Sequence, residues 1–308
     1  MATEQRIIRI ATRESQLAMW QANYIADRLR ETTSLFDVAL VPVSTIGDRD
    51  RTEPLREMGG QGVFTREVQR VVIENHADIA VHSLKDLPTG PIPGLSLAGI
   101  PERAPRFDAM ILPKDSQVQS FDDLPAGSRI GTGSPRRQSQ LLSSRRDLEL
   151  LEIRGNLDTR LKKLDDGEYD AIILAEAGLR RLGLEQRISF LLTPPLMLPA
   201  VGQAALGIEC REDDQEVIEL LHQISHAQTK IEVTAERSCM FTLQAGCHAP
   251  VGVLCQQDQE VLKLDAVALS PDGEVRFDVS VSGDPASPAE LGAEVAKRLM
   301  EQGASKYL

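Results

Sequence analysis

Two arginines follow a glycine-rich turn in the stretch GTGSPRRQ, Gly131–Gln138, and this combination could bind an anion. The pattern predicts a helix that begins after Ser134, with Pro135 at its first position. Free N–H groups and the dipole at a helix N-terminus already attract negative charge. Arg136 and Arg137 each cost the helix on the order of 0.3–1 kcal/mol there, so we expect them to face an anion. An exposed basic turn is the alternative, and the spacing is not that of a nucleotide-binding P-loop.

Further arginines follow two other predicted strands. Arg154 ends a strand in EIRGNLDTR, and Arg160 lies in the helix after it. Arg13 and Ser15 follow the first strand in ATRES. Only 8 of the 34 basic residues are lysines, which genomic base composition also explains. Because arginine can hold a carboxylate or phosphate through two parallel hydrogen bonds, three such turns facing one cleft predict a ligand with several carboxylates.

A lysine and an aspartate stand side by side after the third predicted strand, in HSLKDLP. Lys85 and Asp86 therefore lie where open α/β sheets place working residues, outside the carboxyl end of a strand. A carboxylate there could stabilise a developing cation or exchange a proton with a substrate. An ordinary ion pair on a loop is the alternative.

Cys247 follows Gly246 in the turn-like stretch TLQAGCHAP, after a predicted helix. A zinc site would need a second pair of ligands, and His222 and His226 lack the glutamate of an HExxH motif, so we predict no metal. His248 is too near in sequence to act as the base of a Cys–His hydrolase. The four cysteines have no framework spacing, which predicts reduced thiols. A nucleophile, an anchor or a buried thiol remain open at this point.

The elements that position these residues alternate between strand and helix over two stretches of the chain. Each stretch predicts an α/β lobe with a parallel sheet covered by helices on both faces. Proline-rich crossovers at 91–108 and 193–203 predict that the chain leaves the first lobe and returns to it, forming a hinged cleft. The predicted domains are domain 1 (1–102 and 202–222), domain 2 (107–198) and a small C-terminal α+β domain 3 (225–308).

Composition restricts the partners. A net charge of −12 over 308 residues disfavours nucleic acid. No apolar run approaches the ~20 residues of a membrane span, and the first ten residues lack the apolar core of a secretion signal. These features predict a cytoplasmic protein with no nucleic-acid and no membrane partner. The polar, glycine-rich segment Gly47–Gly62 predicts a mobile lid.

Longer stretches resemble one family, the porphobilinogen deaminases (hydroxymethylbilane synthases). The resemblance is carried by RIATRESQLAMWQA, DIAVHSLKDLP, GTGSPRRQSQL, RGNLDTRLKKLDDGEYDAIILAEAGLRRLG, LPAVGQAALGIECR and VTAERSCMFTLQAGCHAPVG. It implies three domains, of which the first two form a hinged cleft like that of type II periplasmic binding proteins. It also implies a transferase of tetrapyrrole and heme biosynthesis. Such an enzyme condenses four porphobilinogen molecules head to tail onto a covalently held dipyrromethane, releasing ammonia and, by hydrolysis, linear hydroxymethylbilane.

The resemblance also implies residue roles. Cys247 matches the cysteine that holds the dipyrromethane by a thioether bond. Asp86 matches the catalytic aspartate, which helps the nitrogen of the aminomethyl group leave as ammonia and stabilises the resulting cation. The residues matched to cofactor binding are Lys85, Ser134, Arg136, Arg137, Arg160 and Gln203. The residues matched to substrate carboxylates are Arg13, Ser15, Arg154 and Arg181.

This chain departs from the family pattern at a few positions. Many bacterial members of the family have lysines in the lid, near the positions where this chain has Glu57 and Gln61. Glu57 and Gln61 therefore bring no positive charge to the lid. Gly133 and Pro135 stand where Ser and Leu are common, which alters the stiffness of the turn more than its charge. Ala204 replaces a usual glycine. The alternative function is a non-catalytic two-lobed binder of small polycarboxylates, and the lack of an obvious apolar surface stripe predicts a monomer.

Overall fold

The computed structural model describes residues 6–33, 35–45, 65–246 and 248–308. The predicted lid Gly47–Gly62, with Glu57 and Gln61, and the predicted anchor Cys247 lie outside the described residues. The chain divides into two compact units. The first comprises Met1–Arg103 and Ala205–Lys230, and the second comprises Ala104–Ala204 and Ile231–Leu308. The second lobe and the C-terminal region thus share a unit, and the three predicted domains remain a prediction.

The first unit is built around one five-stranded sheet. Its elements, numbered along the whole chain, are β1 (Arg6–Arg13), α1 (Gln16–Thr32), β2 (Phe36–Val43), α2 (Arg66–Ile73), β3 (Ile79–Ser83), a 3-10 turn (Leu84–Asp86), β4 (Leu95–Gly99), β10 (Leu206–Arg211) and α6 (Gln215–Gln223). The strand order is β2-β1-β3-β10-β4.

The first sheet is mixed, so the prediction of a parallel sheet is wrong in part. β1 pairs in parallel with β2 and with β3, as the alternating pattern predicted. β10, in contrast, runs antiparallel between β3 and β4. The reason is the return of the chain: β10 follows the long excursion into the second unit, so no single crossover helix imposes a parallel direction on it.

Helices cover both faces of this sheet, as predicted. Ile8 and Ile10 of β1 pack with Ile25 of α1 in one buried cluster. Ala11, which points to the opposite face, packs with Val68 of α2 in another. Burying a large aliphatic side chain of this kind contributes about 1.5–3 kcal/mol, so the alternation of apolar residues along β1 fixes both helix positions.

The second unit contains a second five-stranded sheet. Its elements are β5 (Asp108–Ile111), β6 (Arg129–Gly131), α3 (Pro135–Ser144), β7 (Glu149–Leu151), α4 (Leu157–Asp165), β8 (Ala171–Ala175), α5 (Glu176–Arg181), a 3-10 turn (Glu185–Arg187) and β9 (Phe190–Leu192). The strand order is β7-β6-β8-β5-β9. β6 is parallel to β7 and β8, whereas β5 is antiparallel to β8 and β9, so this sheet is mixed as well.

The C-terminal part of the second unit has the α+β character predicted for it. Its elements are α7 (Ala227–Thr242, whose first residues belong to the first unit), β11 (Val251–Asp258), β12 (Val261–Leu269), β13 (Arg276–Gly283), α8 (Pro288–Glu301) and a 3-10 turn (Ala304–Tyr307). The strands form an antiparallel sheet in the order β11-β12-β13. A buried apolar cluster joins this sheet to α7 and α8.

Candidate active site

Three neighbouring parallel strands of the second unit, β7, β6 and β8, end at one edge of its sheet. We call this the carboxyl edge. Because β5 runs antiparallel to β8, its first residue, Asp108, pairs with Ala175 at the end of β8. An acidic residue is thereby placed among the arginine-bearing turns.

The turn between β6 and α3 begins the helix at the predicted residue. Ser134 is the N-cap and has extended backbone, although its side chain makes no capping hydrogen bond. The two glycines of the turn have a packing reason. A Cβ atom on Gly131 would lie 2.9 Å from Cδ1 of Tyr169, and one on Gly133 would lie 2.6 Å from Oε1 of Glu152. These glycines therefore admit neighbouring side chains.

The two arginines of α3 converge on Asp108. Arg137 donates from Nε (3.0 Å) and Nη2 (2.7 Å) to Oδ1 of Asp108. Nη1 of Arg136 lies 2.8 Å from Oδ2. Each guanidinium also donates to a carbonyl oxygen, Arg136 to that of Leu198 (2.6 Å) and Arg137 to that of Ile173 (2.9 Å). The negative charge expected beside this helical turn is thus supplied in part by the protein itself.

Burial and charge act in opposite directions on these three groups. Burial would raise the pKa of the Asp108 carboxyl, but the charges and hydrogen bonds of Arg136 and Arg137 together hold that pKa well below its usual range. Burial lowers the pKa of Arg136, and Asp108 opposes this shift. Two guanidiniums share one carboxylate. Within the described part of the chain, the buried Nε of Arg136 has no hydrogen-bond acceptor.

Gln203 lies in the turn that precedes β10, and Arg181 contacts the same turn. The side-chain amide of Gln203 donates to Oδ1 of Asp108 (3.1 Å) and to the carbonyl of Arg106 (2.8 Å). Arg181, at the end of α5, donates from Nη2 to the carbonyl of Ala204 (2.6 Å). Ala204 has a φ of 70°, in the left-handed region that favours glycine, which explains why glycine is usual at this position in the family that the sequence resembles.

Arg154 and Arg160 bring further positive charge to the carboxyl edge. Nε of Arg160 donates to the carbonyl of Gly155 (2.8 Å). Burial lowers the pKa of Arg160 to about 10, aided by repulsion from Arg137 and Arg154, while Glu152 opposes the shift. The repulsion shows that the positive charges of Arg137, Arg154 and Arg160 lie near one another. We call the following residues the arginine cluster: Arg136, Arg137, Arg154 and Arg160.

The first unit holds the remaining predicted site residues at one edge of its own sheet. Arg13 ends β1, and Ser15 caps α1 by accepting a hydrogen bond from the Ala18 N–H (3.3 Å). Lys85 and Asp86 lie in the 3-10 turn after β3, the parallel neighbour of β1. Both side chains are half-buried. No hydrogen bond or ion pair to the Asp86 carboxylate is present among the residues that the structure describes.

The predicted site residues therefore fall into two groups. Arg13, Ser15, Lys85 and Asp86 lie in the first unit. Ser134, Gln203, Arg181 and the arginine cluster lie in the second. The roles assigned to them by resemblance stay predictions.

The sequence analysis missed Asp108 and Glu152. Asp108 opens the otherwise apolar stretch DAMIL, and it is fully buried. Since a buried carboxylate requires a cationic or hydrogen-bonding partner, an acid at the start of an apolar strand was a usable signal. Glu152 carried no such signal, because it lies in a polar stretch.

Several other chemistries find no support in the described ranges. No group of three or more His, Cys, Asp or Glu side chains could hold a metal ion there. Cys210 and Cys239 are buried thiols, and burial raises the pKa of each to about 12. These two thiols are therefore poor nucleophiles at neutral pH. Among the helices of the described residues, none has the length and apolarity needed to cross a membrane.

Comparison with solved structures finds distant likenesses. The periplasmic sulfonate-binding protein SsuA from Methylobacillus flagellatus is 16% identical, with a TM-score of 0.42 over 76% of this chain and 68% of that chain. The periplasmic VFT2 domain of BvgS from Bordetella pertussis is 13% identical, with a TM-score of 0.44 over 76% of this chain and 93% of that chain. Because both TM-scores lie below 0.5, these likenesses support no conclusion about ligand or activity.

Comparison with protein families gives matches along most of the chain. Residues 8–219 match the family model described as porphobilinogen deaminase, dipyromethane cofactor binding domain. Residues 230–301 match the model described as porphobilinogen deaminase, C-terminal domain. The first match contains both five-stranded sheets and the arginine cluster, and the second contains the three-stranded sheet. With both domain types present in order, this chain belongs to the porphobilinogen deaminase family.

Proposed function

We propose that this chain performs the reaction of its family with the dipyrromethane attached to Cys247 and with Asp86 as the catalytic carboxylate. Family membership makes the chain a transferase with a dipyrromethane cofactor-binding domain. The reaction joins four porphobilinogen molecules head to tail and releases one ammonia at each condensation. Hydrolysis then frees linear hydroxymethylbilane.

The observation that carries the assignment of the carboxylate-binding residues is the positive charge of the arginine cluster. Arg136 and Arg137 share the single carboxylate of Asp108, and Arg160 is repelled by Arg137 and Arg154. Porphobilinogen and dipyrromethane bear an acetate and a propionate on each pyrrole ring. Since carboxylates are the natural partners of arginine, the cluster fits a cofactor and a substrate of this kind. The buried Nε of Arg136, which lacks an acceptor among the described residues, fits the same chemistry.

The residues of the chain have separable tasks in this proposal. When bound, the dipyrromethane supplies the free α-carbon to which the first porphobilinogen is joined. Asp86 accepts a hydrogen bond from the pyrrole N–H of the substrate. It stabilises the positive charge that grows as the bond to the aminomethyl nitrogen breaks and ammonia leaves. Arg13 and Ser15, at the same edge of the first sheet as Asp86, bind substrate carboxylates, and the same role is proposed for Arg154 and Arg181 in the second unit.

The proposal includes a cytoplasmic monomer of three domains that binds no nucleic acid. Cys210 and Cys239 are buried thiols outside any disulfide, which supports a reducing compartment. The net charge of −12 opposes association with nucleic acid. The lack of an obvious apolar surface stripe in the sequence supports a monomer. Light scattering of the purified chain checks the monomer.

The intact mass of the purified protein tests the attachment. We expect the wild-type mass to exceed the sequence mass by one dipyrromethane, and Cys247→Ser to lose the whole increment. Cys239→Ala is the matched control, because this thiol is buried and should keep the increment. An active wild-type protein at the bare sequence mass would refute the attachment. A protein without the increment and without ammonia release from porphobilinogen would instead be a binder of polycarboxylates.

A further inference from the structure

Asp108 contacts three of the side chains to which cofactor binding is assigned. Its Oδ1 accepts hydrogen bonds from Arg137 and from Gln203, and its Oδ2 faces Arg136 at 2.8 Å. The carboxylate is fully buried and therefore out of reach of a ligand, so Asp108 is not itself a catalytic residue.

Two hydrogen bonds from Arg137 and an ion pair with Arg136 let Asp108 orient both guanidiniums. Arg137 presents Nε and Nη2 to the carboxylate, while its Nη1 is held by the carbonyl of Ile173. Arg136 uses Nη1 for Asp108 and for the carbonyl of Leu198. A guanidinium has five N–H donors in a rigid fork, so the contacts at one side determine where the remaining donors point. One such remaining donor is Nε of Arg136.

The same carboxylate also sets the local charge. Arg136 and Arg137 carry two positive charges, and Asp108 cancels one of them. The Gln203 amide contributes a hydrogen bond without charge. These three side chains at the N-terminal end of α3 therefore retain about the charge that a single ligand carboxylate would neutralise.

We propose that Asp108 is a positioning residue that orients Arg136 and Arg137 and limits them to binding one cofactor carboxylate. The inference rests on the proposed function, in which these arginines bind the dipyrromethane. It assigns to a buried internal acid the control of both geometry and charge at this site. Shape and charge can be separated, because asparagine keeps the shape of the side chain and removes its charge.

Cofactor loading of the apo chain tests the proposal. Apo-protein is incubated with porphobilinogen, and the fraction carrying the dipyrromethane is followed by intact mass at several salt concentrations. We expect Asp108→Asn to load at least tenfold more slowly, and to lose rate more steeply with salt because two uncancelled charges then face the ligand. Asp108→Glu should recover part of the rate. Asp170→Asn is the matched control, because Asp170 holds Arg129 in a half-exposed pair of the same sheet.

The outcomes separate this proposal from the proposed function. If the Asp108→Asn variant loads at the wild-type rate with the wild-type salt dependence, the positioning role alone is overturned. A wild-type chain that never gains the dipyrromethane overturns the proposed function and this inference with it. Should Asp108→Asn fail to fold, the double variant Asp108→Asn/Arg137→Gln restores one net charge. It should load slowly with the salt dependence of the wild type, and wild-type loading by it overturns the proposal.

Discussion

Replacing Gly273 with alanine would test how the C-terminal sheet is held against α3. Gly273 lies in the turn between β12 and β13 and has a φ of 71°. A Cβ atom there would lie 2.6 Å from the carbonyl oxygen of Ser139 and 2.6 Å from the amide nitrogen of Ser143. Both atoms belong to the backbone of α3, so no side-chain rotation can relieve the clash. The hairpin would have to move away from the helix.

The expected loss of stability follows from these two features. A left-handed backbone costs alanine about 1–2 kcal/mol, and overpacking costs about 1–3 kcal/mol. Stiffening of the unfolded chain by alanine returns about 0.4–1 kcal/mol. We therefore expect Gly273→Ala to lower the free energy of unfolding by about 1–4.6 kcal/mol. At about 2–4 °C per kcal/mol for large domains, the Tm should fall by roughly 2–18 °C.

Gly127 offers a matched control for this measurement. It has a φ of 77°, yet a Cβ atom there would meet nothing within 4 Å. Gly127→Ala therefore carries only the backbone cost less the unfolded-state gain, about 0–1.6 kcal/mol. Urea unfolding followed by circular dichroism gives the free energies of unfolding of both variants. Equal losses, within about 0.5 kcal/mol of each other, would refute the close packing of the hairpin on α3.

Two further predictions concern the first unit. Asp86→Asn should lower kcat by a factor of roughly 100 or more, the size of effect seen when one group that stabilises transition-state charge is removed. Its intact mass should still include the dipyrromethane, and an unchanged kcat would exclude Asp86 from catalysis. Asp78→Asn should lower the free energy of unfolding at pH 7 by about 2 kcal/mol, because Asp78 accepts hydrogen bonds from Nε and Nη2 of Arg9 (3.0 Å each). Burial would raise the pKa of Asp78, but the hydrogen bonds and charge of Arg9 and a hydrogen bond from Arg211 lower it overall. The resulting stability is present above the unfolded-state pKa of about 4 and is lost as the pH falls through the lower folded-state pKa. Urea titrations at pH 7 and pH 3 should therefore show a smaller acid-induced loss in Asp78→Asn, and equal losses would contradict the pairing.

The sequence was sufficient for the features that depend on local pattern. The alternation of strand and helix patterns predicted the cover of helices on both faces, because the side-chain periods of helix and strand are properties of short segments. Ser134 was placed at the start of α3 from capping and proline preferences that act within a few residues. The motifs that reveal the family are likewise continuous stretches of the chain.

Strand direction could not be predicted in the same way. β5 and β10 read as ordinary apolar strands, and a burial pattern is the same whichever way a strand runs in the sheet. Direction depends on which neighbours the strand pairs with after a long excursion of the chain. The antiparallel pairing of β5 with β8 then places Asp108 at the carboxyl edge, among arginines that follow strands of the opposite direction.

The sequence predicted one part of the chemistry of the arginine cluster, and the tertiary structure decided the other part. The sequence alone identified Arg136 and Arg137 as two positive charges at the start of a helix. Such charges require a negative partner, because the helix dipole is itself positive at this end. Only the tertiary structure showed that the Asp108 carboxylate supplies part of this negative charge, and that the carbonyl groups of Ile173 and Leu198 accept further hydrogen bonds from the two arginines. These partners lie 29 to 62 residues away along the chain, and a contact over such a separation is created by packing rather than by any local preference.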